Sequence, residues 1–568
     1  MKQAPSLAHS KDKDGGLLTR SLTSLFSLMG LQLGSRLLTF VLNQALFRLA
    51  SPQAYGIAAI QFELILSTIL FLSREGVRNA LLRAWPRDTT IHNQGSSSKD
   101  ERVPALANLS ALPIILGLPV SLATTAVYAT LASTDVRRQP YFHVALSTYV
   151  FAALSELLSE PMHNQAMGEV RTGARVRAEG LGITCKTLVT YLVLLYDPTT
   201  SGEFALVAFA LGQLAYSVVV FFSYVYQMGY PTFWPTRLAT RQSHEMSDSR
   251  SRFYLIASRY FDISSLHLSL TMTGQSLVKH MLTEGDKIIL SWWSPLQDQG
   301  GYAIAVNYGS LVARIVFQPL EEMCRVYFSR ILCPSTGAQT DRRTLVQASE
   351  TLLSLVSIQL ACSVLVIVFA TVYLPIFLHL LLPFQYLSTS APKVLAAWMW
   401  YIPALAINGV LEAFFSSIAT PKDLRRQSRW LVAFSITFFL SAIGFYASGF
   451  GDVSLVYANI INLLARIIYA AQYASTFFNR NKTTHRWKTS MPTWQFLLAA
   501  VISYLAISMT KIHDRAVLLV QTEGRRAVLS AIVISHLAQG VGMGLCCVAT
   551  WWVTSGRYLV KRAPVKTD

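Results

Sequence analysis

Apolar stretches long enough to cross a bilayer recur fourteen times in this sequence, and that repetition leaves few folds open. They fall near residues 21–47, 55–77, 105–132, 141–165, 181–196, 203–229, 266–293, 300–324, 345–379, 391–419, 431–448, 453–478, 494–510 and 528–553. About 20 apolar residues are needed to cross about 30 Å of hydrocarbon as a helix. The composition agrees: 52% of the 568 residues are hydrophobic and only 14% are charged, which does not fit a soluble globular chain. The reading is an all-α polytopic membrane protein with fourteen transmembrane helices.

A polar break at 230–265, "YPTFWPTRLATRQSHEMSDSRSRFYL" followed by ten residues, divides the spans into six and eight. This suggests an N-terminal lobe at 21–229, a linker at 230–265, a C-terminal lobe at 266–478, two additional helices at 494–553, and polar tails at 1–20 and 554–568. The first 20 residues lack the apolar core of a secretory signal, so the first span is expected to be an uncleaved anchor. The connecting loops alternate in basic content: one set holds 33 Lys and Arg, the other 8. The basic set is expected on the cytosolic side, with both termini there. The net charge of +18 is thereby assigned to membrane orientation rather than to nucleic acid. The 511–527 loop, with four positive residues, fits this assignment poorly.

Charges crowd into "FLSREGVRNALLR" (71–83), and "FQPLEEMCRVYFSR" (317–330) echoes it. A shift of 243 lays Gln32 on Gln275, Arg36 on Lys279, Asn43 on Asp286 and Ser51-Pro52 on Ser294-Pro295. A shift of 247 then lays Tyr55 on Tyr302, Glu75 on Glu322, Arg78 on Arg325 and Arg83 on Arg330. The same helical pair occurs twice. Six spans separate the copies, so both cross the membrane in one sense, as parallel repeats about an axis along the membrane normal. Two six-helix lobes around a central cavity follow.

Arg36 and Lys279 fall near the middle of their spans, where a charge costs about 2.5 to 3.5 kcal/mol on insertion scales. Each is either paired with a buried acid such as Glu63, Glu156, Glu160, Glu284 or Asp286, or turned to a cavity that receives an anion. Diphosphate suits two fixed cations. Gln32, Arg36 and Asn43 share one helix face, as do Gln275, Lys279 and Asp286, giving two polar stripes that would face each other. Glu75/Arg78 and Glu322/Arg325 lie at the cytosolic ends of spans two and eight. They are either solvated i, i+3 pairs or a cytosolic gate in which Glu75 meets Arg325 and Glu322 meets Arg78. Glu160-Pro161 is read as a helix stop, and His267 and His280 as core or proton-carrying histidines. The six scattered cysteines are read as buried thiols. The sequons Asn108-Leu-Ser110 and Asn481-Lys-Thr483 are expected to be unused on the cytosolic side. No P-loop, dinucleotide glycines or HExxH is present, so neither a cofactor nor an enzyme is expected.

Four stretches, "SRLLTFVLNQALFR", "FLSREGVRNALLR", "EGDKIILSWW" and "DQGGYAIAVNYGSLVARIVFQPLEE", resemble the signature segments of the Rft family of endoplasmic reticulum proteins. The resemblance runs from about 21 to 553 and is most specific over 283–322. The family is similar in turn to the multidrug/oligosaccharidyl-lipid/polysaccharide exporters. The resemblance implies a V-shaped two-lobe transporter with a cationic cavity, alternating access and a lateral opening for a lipid tail. Its substrate would be a dolichyl-diphosphate oligosaccharide of five mannoses and two N-acetylglucosamines, moved across the endoplasmic reticulum membrane for N-glycosylation, with Arg36 and Lys279 on the diphosphate. Two other readings stay open: a non-transporting accessory or glycolipid-binding protein of the same pathway, and an ion-coupled exporter of small organic molecules. A doubly cationic cavity argues against organic cations as cargo. The 84–103 insert is given no role.

Overall fold

Backbone amides in hydrocarbon find no water, so each apolar stretch satisfies them within itself as a helix. The computed structural model describes residues 40–84 (42 excepted), 97–196 (170 excepted), 203–238, 259–332 and 342–557. Among these residues twelve helices are long and apolar enough to cross a membrane. In chain order the elements are α1 (43–49), α2 (Pro52–Leu82), α3 (Pro104–Leu131), α4 (Phe142–Gly168), α5 (Gly173–Tyr196) and α6 (Ala205–Met228). The second set comprises α7 (Ile263–Thr283), α8 (Gly285–Trp293), α9 (Leu296–Leu332), α10 (Arg342–Leu381), α11 (Ala391–Ile418), α12 (Lys422–Ala447) and α13 (Val453–Arg480). Three more close the chain: α14 (Trp487–Ser508), α15 (Lys511–Glu523) and α16 (Ala531–Gly556). The first expected span lies largely outside the described residues. The seventh is interrupted at Glu284 into α7 and α8 and is not among the twelve.

Local chemistry sets the helix ends. Ser51 caps α2 by accepting the Ala54 N–H, with Pro52 in the first turn, where its missing N–H costs nothing. Thr420 and Asp423 form a capping box at the start of the α12 helix, again with proline in the first turn, so this helix begins earlier than the expected 431. α5 likewise starts earlier than 181, because its polar first turns, held by Arg175–Glu179 at 2.8 Å, stay helical beyond the apolar core of the span.

Phe62, Phe142, Tyr149, Leu157 and Leu206 form the core that joins α2, α4 and α6. Tyr302, Tyr386, Trp398 and Leu455 join α9, α11 and α13, and Phe328, Phe414 and Phe478 extend that packing toward the other membrane face. The last helices dock on α10 through Tyr373, Ile376, Ile507, Val520 and Val533. Outward faces carry Phe151, Leu440 and Leu545, each more than half exposed, as lipid contact allows.

The connection expected as a loop at 511–527 is mostly helical. Arg525 donates to the carbonyls of His379 and Leu382 at 3.3 and 3.1 Å, so one of its awkward positive charges caps the end of α10. Nor are all thiols buried: Cys324 and Cys547 are, whereas Cys362 and Cys546 are exposed and Cys185 is intermediate. A thiol facing lipid loses no hydration that burial would spare, so a membrane chain sets no premium on hiding it. Cys333 lies outside the described residues.

Candidate functional site

The two halves meet tightly at the end of the molecule that carries Ser51 and Ser294. There α2 and α9, the second helices of the two repeat copies, cross at glycines. A Cβ on Gly300 would stand 2.0 Å from the Pro52 carbonyl oxygen, and one on Gly56 would stand 2.6 Å from that of Leu296, so only hydrogen fits at either position. The buried amides of Gln61 and Gln299 bond across the crossing at 2.9 Å. Tyr128 donates to Gln61 at 2.7 Å, and Gln299 also donates to the Ser294 carbonyl at 2.9 Å. Gln385 adds bonds to the carbonyls of Phe47 and Ala50.

Toward the other end a cavity of about 450 Å³ opens along one face of α2. Glu63, Ser67, Phe71, Arg74 and Arg78 line it at spacings of three to four residues, with Glu75 beside Arg74, as one helix face must. Glu156 of α4, Lys186 of α5, Gln213 and Tyr216 of α6, and His280 and Glu284 beside the α7–α8 break complete the wall. Gly76 lets α7 come close, since a Cβ there would stand 1.9 Å from the Thr273 hydroxyl. His280 stacks on Phe71 with ring centroids 4.2 Å apart and lies 3.2 Å from the Thr68 hydroxyl.

Two of the cations lining the cavity are neutralised within the same half. Arg74 reaches Glu156 at 2.7 Å and Glu160 at 3.1 Å. Arg78 gives Nε and Nη2 to Glu160 at 2.8 and 2.6 Å. Glu160 is fully buried, so the residue read as a helix stop is the counter-ion of two arginines. The helix does pause there, restarting at Glu160 with Pro161 in its first turn. Lys186 donates to the Gln213 amide oxygen at 2.6 Å.

Of the residues singled out in the sequence, Gln32 and Arg36 lie outside the described residues. Gln275 and Lys279 sit on α7, and their side chains lie outside the description as well. Asn43 is half-buried on α1. Asp286 accepts from Tyr302 at 3.1 Å and Asn459 at 3.2 Å, away from the cavity wall, while Glu284 holds Lys287 at 2.8 Å. Arg325 pairs with Glu321 at 2.6 Å rather than with Glu322 or Glu75, and Glu75 takes the Asn79 amide at 3.2 Å. Neither reciprocal gate pair is formed among the described residues. His280 is buried and partnered, whereas His267 is exposed.

Sequence reasoning missed Arg74, Lys186, Gln213 and Tyr216. A signal for the arginines existed: Arg74 and Arg78 are four apart on one apolar helix, Glu156 and Glu160 four apart on another, a spacing that stacks each pair on one face.

The sequence matches the Rft protein family over residues 20–563. The chain belongs to that family. Among its members, the Man(5)GlcNAc(2)-PP-dolichol translocation protein RFT1 of Yarrowia lipolytica is 33% identical over 518 residues, covering 87% of this chain and 75% of the relative. The protein of the same name from Saccharomyces cerevisiae is 29% identical over 487 residues, covering 81% and 83%. In three dimensions this Rft protein resembles the lipid II flippase MurJ in an inward closed conformation. The TM-score is 0.56 at 14% identity, over 94% of this chain and 99% of that one, and establishes a shared fold.

Proposed function

We propose that this protein moves a dolichyl-diphosphate-linked oligosaccharide of five mannoses and two N-acetylglucosamines from the cytosolic to the lumenal leaflet of the endoplasmic reticulum. The observation that carries this reading is the named activity of the relatives, which align over most of their own lengths. The excess of 33 basic residues over 8 in alternate loops supports an orientation with the termini and the Arg78 end of the cavity in the cytosol and the Gly56/Gly300 crossing at the lumen. The head group enters from the cytosol while the polyprenyl tail stays in lipid. Arg36 and Lys279 hold the diphosphate, and the lobes rock about the crossing to expose the sugars.

The test is reconstitution of the purified chain in liposomes with labelled glycolipid. Transfer between leaflets that requires the protein supports the proposal. Restored N-glycosylation in cells lacking the relative, without transfer in liposomes, would make it an accessory protein instead. For orientation, Asn481 is the informative sequon. Asn108 is buried and its amide donates to the carbonyls of Thr236 and Tyr260, both at 2.6 Å, so folded protein withholds it on either side. Asn481 is exposed, and sugar on it would reverse the assignment.

A further inference from the structure

The described cavity wall is badly matched to an anion. Glu63, Glu75, Glu156 and Glu284 face three cations, Arg74, Arg78 and Lys186, and the two arginines are already held by Glu156 and Glu160. Lys186 remains, with one of its three N–H donors given to the Gln213 oxygen. With Glu160 and with Lys287, which holds Glu284, the described residues set five carboxylates against four cations, so they offer a diphosphate no excess of positive charge where water screens weakly. An uncharged ligand needs no such excess.

What the wall does offer is hydrogen-bond acceptors beside aromatic faces. Glu63 and Glu75 present carboxylates, which bind hydroxyl donors through charge-assisted bonds. Gln213 keeps its amide donors after its oxygen is taken. Phe71 and Tyr216, both half-buried, flank these groups; His280 covers one face of Phe71, which leaves the Tyr216 ring and the other face of Phe71 for the apolar C–H face of a pyranose. The volume of about 450 Å³ falls in the range of small-molecule sites.

We propose that this cavity is a subsite for part of the uncharged, polyhydroxylated oligosaccharide of the glycolipid. Glu63 and Glu75 accept sugar hydroxyls, Phe71 and Tyr216 stack on sugar rings, and Lys186 keeps Gln213 in place. The inference rests on the transport reading above, and the paired arginines keep the local charge from competing for phosphate.

The test uses the full chain in lipid nanodiscs and four probes: the free reducing oligosaccharide, inorganic pyrophosphate, polyprenyl diphosphate without sugar, and the complete glycolipid. Saturation-transfer NMR should show the free oligosaccharide bound to the wild type. Glu63→Gln should weaken that binding by about tenfold, the loss of one hydrogen bond to a charged group, and leave polyprenyl diphosphate binding unchanged. Since Glu63→Gln could perturb folding, protection is also read in otherwise native protein. Maleimide labelling of the thiol at Ile183→Cys, on the cavity wall, read as the excess over wild type with its exposed Cys362 and Cys546, should be blocked by oligosaccharide and not by pyrophosphate. If pyrophosphate shields that thiol and Lys186→Gln abolishes the effect, the cavity is an anion site and the subsite is wrong. If the complete glycolipid binds but free oligosaccharide neither binds nor shields, the subsite alone is wrong. If the complete glycolipid does not bind, the transport reading fails and the subsite falls with it.

Discussion

Arg78 and Glu160 form a two-pronged ion pair, with guanidinium Nε and Nη2 at 2.8 and 2.6 Å from a carboxylate that has no solvent exposure. Arg74 shares the same carboxylate. Deleting one member of such a group strands the others in low dielectric. Glu160→Ala should therefore destabilise the protein by about 3–5 kcal/mol, read as a lower thermal midpoint in detergent. Glu156→Gln, which leaves Arg74 its bond to Glu160, should cost less. Equal losses would show that the network is not centred on Glu160.

The proposed cytosolic gate can be tested against this pairing. If Arg78 exchanges Glu160 for Glu322 when the cytosolic side closes, the charge reversal Arg78→Glu should impair function and Glu322→Arg should restore part of it, with a measurable coupling energy. If Glu160→Arg is the better rescue, Arg78 serves its own lobe throughout and the gate needs other residues.

At the Gly56/Gly300 crossing the expectation is steric. Gly300→Ala would press a methyl carbon to 2.0 Å from the Pro52 oxygen, so the helices must separate. Overpacking of this kind costs about 1–3 kcal/mol. A thiol at Ala54→Cys, buried in the native packing, should then react faster with a membrane-impermeant reagent applied from the side that carries Ser51 and Ser294. Unchanged reactivity and stability would mean that the crossing is looser than its geometry.

His485 offers a pH test outside the spans. It stacks on Phe478, meets the edge of Trp487, and contacts the Ser349 hydroxyl at 2.8 Å. Burial lowers its pKa from the usual 6.5 to about 4. The unfolded chain then binds a proton more readily than the folded one, so the contribution is complete above about pH 6.5 and is lost as pH falls through about 4. Thermal midpoints should fall over that window, and His485→Phe should flatten the fall. A curve that His485→Phe leaves as steep would rule this residue out as the cause.

The spans were legible because hydrocarbon imposes one rule on every crossing, and helices such as Ala391–Ile418 sit within a residue of where the apolar run put them. The seventh was harder to read. Glu284-Gly285-Asp286 interrupts it, yet apolar content on both sides hides the break. The partners of the charged residues were legible only in part. Arg78 was found from its repeat, but a repeat compares equivalent positions and says nothing about Glu160, which lies on a helix with no marked echo. Gln61 and Gln299 escaped notice because a glutamine in an apolar run is silent until its partner, 238 residues away, is brought beside it.

The break at Glu284 makes α7 a lever. Its length is held against α2, where Thr273 fills the notch left by Gly76, while α8 is anchored in the other half by Gly285 against Phe439 and by Asp286 on Tyr302 and Asn459. Glu284 itself has φ −93° and ψ 4°, in the sparsely populated region between the helical and extended basins. At 1.5 Å per residue α7 is about 30 Å long, so a turn of about 10° at this one residue would sweep its far end through about 5 Å. Small torsions at a single joint are thereby converted into displacements as large as a sugar ring.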